Sequence, residues 1–164
     1  MKKLFAAAAV AALLFPAASF AETLAFPSDK PVASITIPDS WNPEETDTGI
    51  QATSSDEAIY LAIDVADAAD AGKVVDEAIK FLDKNGVKVD ESTQKQSEDT
   101  INGMKMMNFD WSGKDKDGPV NIGLSVLAPS ANKVLLITYW GTKGEQEKHA
   151  QDLIGIISSL KPAK

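Results

Sequence analysis

Asp64, Asp67 and Asp70 recur every third residue where an alternating segment runs into a helical one. Three converging carboxylates would hold a divalent cation, with Asp56 or Asp110 in support, because hard cations take oxygen ligands. The competing account is local: Asp70 precedes a helix, where negative charge favours the amino end, and the others are solvated. A second acidic motif, Asp115-Lys116-Asp117-Gly118-Pro119-Val120-Asn121, carries a fragment of a calcium-loop pattern. Calcium takes about six to eight oxygens and the full loop ends in a bidentate glutamate. Here Pro119 intervenes, no such glutamate follows, and a hairpin turn accounts for the Asp-Gly pair.

His149 is the single histidine, on the polar side of the last helical segment. A general base needs an orienting partner and a nucleophile. Glu145 and Asp152 lie within helical reach, but no nucleophile stands out, so no catalytic set is assigned. One enzymatic alternative uses carboxylates alone, Asp64 with Asp110, as a hydrolase. It requires the two acids a few ångströms apart with one pKa raised. Cysteine is absent, which removes thiol nucleophiles, zinc-thiolate centres and disulfides. All 16 basic residues are lysine, so the two-point anion clamp that arginine provides is missing as well. No nucleotide-binding motif is present, no cofactor is expected, and a histidine kinase is not supported by one histidine in a chain of this length.

The elements that position these residues follow from periodicity. Val32–Pro38 alternates, with Ala33, Ile35 and Ile37 on one face; residues 22–31 read as an extended lead-in. Gly49–Thr53 is a second short strand, and Ala58–Val65 sets Ile59, Leu61, Ile63 and Val65 against Tyr60, Ala62 and Asp64. From Gly72 to Lys84 the period becomes helical, with Val74, Val75, Ala78, Ile79 and Leu82 forming a stripe and Asn85-Gly86 a stop. A short strand at Val87–Glu91 precedes a polar stretch reaching Thr100.

Three strands joined by turns come next: Lys105–Ser112, then one marked by Val120, Ile122, Leu124 and Val126, then Val134–Trp140. Gly144–Leu160 closes the chain as a helix. The expectation is an α+β fold, with an antiparallel sheet of five to seven strands layered with two amphipathic helices. If the apolar sides of all the strands coincide, the opposite face is mixed. Tyr60, Asp64, Met104, Met106, Asn108, Asp110, Asn121, Ser125, Thr138 and Trp140 project there, with Trp41 at its edge. Methionines and aromatics among polar groups suit a surface that binds a partner protein or small apolar ligand. A helix or loop covering that face, making it a second core layer, is the other account.

An apolar strand ending in ITIPDSW, then AIYLAIDV, an amphipathic helix, INGMKMMNFDW, two further strands and a terminal helix together resemble the PsbP/Mog1/DcrB-like superfamily. The resemblance spans nearly all of the chain beyond residue 21. It implies an antiparallel sheet packed by helices and a binding or scaffolding role rather than chemistry; it transfers no functional residue.

Lys2 and Lys3, an apolar run from Leu4 to Phe15, Pro16 and the Ser19-Phe20-Ala21 end have the order of a cleaved signal peptide, residues 1–21. The run is too short for a bilayer span, which takes about 20 residues, so no stable membrane anchor is expected after cleavage. Residues 22–164 then form one domain, periplasmic or secreted. The chain carries a net charge of −8, more negative still without the two leader lysines, which disfavours nucleic acid and anionic lipid as partners.

Overall fold

Alternating apolar residues need a second surface to bury them, and this chain supplies one on each side of its main sheet. The computed structural model describes residues 21–163. The expected signal peptide lies outside the described residues except for Ala21. In chain order the elements are β1 (Ala21–Phe26), β2 (Ala33–Pro38), β3 (Glu44–Glu45), β4 (Gly49–Thr53), β5 (Ile59–Asp67), α1 (Ala71–Lys84), β6 (Lys88–Ile101), β7 (Met104–Lys114), β8 (Pro119–Ser130), β9 (Lys133–Thr142), α2 (Ala150–Ser159) and β10 (Lys161–Pro162). Seven strands form one antiparallel sheet in the order β3-β4-β5-β9-β8-β7-β6; β1, β2 and β10 form a separate three-stranded sheet. The architecture is the α+β arrangement expected, with two main helices and a seven-stranded principal sheet.

The main core lies between the two sheets and under α2. Phe26, Ile35 and Ile37 meet Ile59, Leu61, Ile63, Leu135 and Ile137 there, closed by Ile156 and Leu160. Each of these side chains is fully buried or nearly so, worth about 1.5–3 kcal/mol apiece against exposure. On the opposite face α1 lays Val74, Val75, Ala78 and Leu82 over Leu124, Leu136 and Ile122. The helix stops where expected: Gly86 takes φ 79°, and Val87 N–H donates back to Leu82 O at 2.9 Å.

Three segments differ from the periodicity reading. Residues 22–31 do not merely lead in, because Ala21–Phe26 pairs along the whole of β2. The polar stretch after Glu91 is part of a 14-residue edge strand, β6. Its two faces are both largely exposed, so no apolar alternation marks it, and its charges and a bulge between Asp90 and Lys95 protect a free edge. The last helix begins at Ala150, after a 3₁₀ turn over Gln146–His149.

The largest correction concerns which strand faces coincide. Side-chain parity within each strand is as expected, but the ladders pair Tyr60 with Trp140, Ala62 with Thr138, Thr138 with Leu124, and Leu124 with Phe109. Ile137 pairs with Ser125, and Ser125 with Asn108. The apolar side of β5 and β9 is therefore continuous with the polar side of β7 and β8. Apolar and mixed halves exchange across the sheet, so each face has one of each, and a covering layer sits on both.

Candidate functional site

The expected ten-residue surface is divided by this register. Tyr60, Asp64, Thr138 and Trp140 face α1; Met104, Met106, Asn108, Asp110, Asn121 and Ser125 face the other way. Met104 and Met106 are buried in the main core, and Trp41 is 2% exposed among the same residues rather than at a binding edge. Asp64 and Asp110 stand on opposite faces with two strands between them, so they do not form an acid–base pair. Asp64 and Asp67 likewise point to opposite sides of β5, as alternation requires. Asp67 pairs with Lys133 at 2.7 Å, and Asp70 lies in the 3₁₀ turn ahead of α1. Among the described residues no three histidines or carboxylates come together to hold a metal. Asp115 Oδ1 accepts from the backbone N–H of Asp117 and Gly118, at 2.9 and 3.1 Å, which makes the calcium-like motif a hairpin turn.

His149 is pinned rather than free. Its Nε2 lies 2.8 Å from Asp56 Oδ2, and its ring meets the Trp41 ring edge-on at 5.9 Å. The other Asp56 oxygen accepts from Ser54 Oγ at 2.8 Å. The carboxylate thus sits between serine and imidazole, whereas nucleophilic activation needs the imidazole between the other two. Those hydrogen bonds, from His149 foremost and then Ser54, hold the Asp56 carboxyl far below the usual carboxylate range.

What the structure does assemble is a cleft of about 390 Å³ between α1 and the β4–β5–β9 part of the sheet. Ala62 and Ala78 leave the space, since neither side chain spans from sheet to helix. Tyr60 and Phe81 form an aromatic wall, ring centroids 5.8 Å apart, and Tyr60 stacks on Trp140 at 4.4 Å. The Tyr60 hydroxyl donates to Gln51 Oε1 at 3.0 Å, and Thr48 Oγ1 donates to Asp64 Oδ1 at 2.6 Å. Burial first, and the Asp64 charge second, push the Tyr60 phenol up to about 12, so it stays a neutral donor.

On the cleft floor Thr138 is 2% exposed, and its hydroxyl has no hydrogen-bond partner. Among the described residues it is the buried side-chain polar atom left without one, and such a group costs about 1–3 kcal/mol unless something pairs with it. Tyr60, Asp64 and Thr138 were legible as co-facial from parity. Gln51, Thr48, Glu77 and Phe81 were not, because only the packing of α1 against β4 and β5 brings them in. Phe81 carried a signal: a large aromatic flanking the apolar stripe of the helix, 38% exposed in the fold.

On the opposite face Asp110, Lys95, Asn121 and Tyr139 line a smaller polar hollow of about 190 Å³. Burial raises the Asp110 carboxyl, with Lys95 opposing. Ser125 Oγ donates to Asn108 Oδ1 at 2.6 Å beside it.

The layered arrangement is the PsbP-like fold that the sequence resembles. The solution structure of cyanobacterial PsbP (CyanoP) from Synechocystis sp. PCC 6803 is similar with a TM-score of 0.58, over 95% of this chain and 98% of that one, at 8% identity. The crystal structure of LpqN, involved in cell envelope biogenesis of Mycobacterium tuberculosis, is similar with a TM-score of 0.58, over 88% of this chain and 91% of that one, at 13% identity. Likeness at these identities is a statement of fold. No family model and no curated protein matches the chain. No helix among the described residues is long and apolar enough to cross a membrane.

Proposed function

We propose that this protein is a noncatalytic binding protein of the bacterial cell envelope, which holds a small ligand in the cleft beneath α1. The observation that carries the reading is the Thr138 hydroxyl, buried without a partner at the floor of a cleft walled by Tyr60 and Phe81. An unpaired polar group at the bottom of a largely apolar concavity is the arrangement that orients a ligand. The cleft volume suits a molecule of modest size, and the neutral Tyr60 phenol and the Gln51 amide add hydrogen-bonding capacity at its side. The hydrophobic leader at residues 1–21 supports an envelope location. LpqN, of the same fold, is described as acting in cell envelope biogenesis.

A library of small amphipathic fragments, screened against the isotope-labelled chain by amide chemical shift, tests the reading. Binders are expected to move amides at 48–51, 60–64 and 74–81. Ala78→Phe, which fills the space from the helix side, is expected to abolish those shifts while leaving the rest of the spectrum folded. Fragments that bind only elsewhere, or that bind Ala78→Phe equally well, overturn it.

A further inference from the structure

We propose that the cleft takes a small organic cation, an amine or quaternary ammonium head on an apolar body. The inference rests on the binding reading above and specifies its ligand class. Among the described residues the charged groups that line the cleft are Asp64 and Glu77, both negative, and no lysine lines it. Lys73 approaches Glu77 only at 3.9 Å, with both side chains well exposed, so solvent screens the pair. Asp64 is half-buried, with Oδ1 fixed by Thr48 and no ion pair among the described residues. A carboxylate oriented by a neutral donor, beside an apolar space, is placed to accept a charge-assisted hydrogen bond from an incoming cation.

The rest of the lining agrees with that charge. Tyr60 and Phe81, tilted by 37° to each other, place aromatic surface beside the two acids, and a desolvated cation over such rings gains attraction from their negative faces. Tyr60 is neutral through the physiological range, so nothing in the wall competes for the cation or repels it. Thr138 offers an unused acceptor lone pair for one N–H. A carboxylate or phosphate ligand finds no positive group among the described residues of the lining, and its charge would meet two of its own sign. A hard divalent metal finds too few oxygens, since among the described residues no group of three carboxylates or histidines forms around Asp64.

Four compounds sharing one phenyl–two-carbon skeleton test the inference by titration of amide shifts at pH 7: phenethylamine, phenethyltrimethylammonium, 2-phenylethanol and phenylacetate. Both cations are expected to move the amides at 48–51, 60–64 and 74–81, with affinity about tenfold above the alcohol, and phenylacetate is expected not to bind. Asp64→Asn with Glu77→Gln is expected to remove the preference for cations while keeping the weaker binding of the alcohol. Thr138→Val is expected to weaken phenethylamine and spare the quaternary compound, which has no N–H to donate. Alcohol or phenylacetate binding as tightly as the cations overturns the cation assignment and leaves the cleft as a binding site. Silence from all four, with neutral fragments still moving the cleft amides, does the same. If neither these compounds nor the fragment library moves the cleft amides, both readings fall.

Discussion

His149 Nε2 sits 2.8 Å from Asp56 Oδ2, joining residues 93 positions apart and fastening the turn before α2 to the β4–β5 hairpin. Asp56 also organises that hairpin itself, accepting from Ser54 Oγ at 2.8 Å and from Ala58 N–H at 3.2 Å. Removing either partner is therefore expected to loosen this end of the molecule rather than abolish an activity. His149→Ala should lower Tm by roughly 2–4 °C, the shift that about 1 kcal/mol makes in a chain of this size. An unchanged Tm would show the contact to be idle.

The same carboxyl predicts an acid response. Its folded-state pKa is depressed below the unfolded value, so its contribution is fully present above the ordinary carboxylate pKa of about 4. That contribution fades as pH falls from there toward the lower folded-state value. Urea melts from pH 7 to pH 2 should show wild-type stability falling below about pH 4. Asp56→Asn is expected to start lower and fall less steeply over that range. Parallel curves for the two proteins would remove Asp56 from the explanation.

Thr138→Val replaces an unpaired buried hydroxyl with a methyl of nearly the same shape. Because the hydroxyl is without a partner, the variant should be more stable than the parent by about 1 kcal/mol, read as a higher denaturation midpoint at unchanged m-value. A loss of stability of that size would mean the hydroxyl has a partner in solution.

Gly123 lies under the Tyr139 ring. A Cβ at that position would fall 2.0 Å from the ring edge, so Gly123→Ala must displace Tyr139 and should cost about 1–3 kcal/mol. Adding Tyr139→Leu should recover part of that loss, and a double-mutant cycle measures the coupling. Additive losses would place the cost in the backbone instead.

Asn102 has two separable jobs at the β6–β7 hairpin. It takes φ 49° in the turn, and its Nδ2 donates at 2.8 Å to both Ser158 O and Leu160 O, capping the end of α2. Asn102→Gly keeps the turn and loses the cap, so hydrogen exchange should accelerate over 157–162 while the hairpin amides stay protected. Asn102→Ala should lose both and be the less stable of the two, by about 1 kcal/mol. Equal stability of the two variants would refute the division.

Local features of this protein were legible because their causes are local. The helical stripe through Val74, Ala78 and Leu82 ends at Asn85-Gly86 because a positive φ is cheap at Gly86. The odd–even placement in Ala58–Val65, Val120–Val126 and Val134–Trp140 follows from the period of an extended chain, and each strand keeps it. The part of β6 beyond Glu91 was not legible because an exposed edge strand buries neither face, so it carries no hydrophobic alternation.

What tertiary structure alone decided is how one strand's parity meets the next. Alternation says that Ser125 and Leu124 point opposite ways; the hydrogen-bonded register decides that Leu124 joins Thr138 and Ser125 joins Ile137. A one-residue change in register exchanges every side chain between faces, and it is set by turn geometry and by the layers that bury each side. That choice sent Met104 and Met106 into the main core and parted Asp64 from Asp110. It also left Thr138 beneath α1 beside Tyr60, where a cleft had room to form.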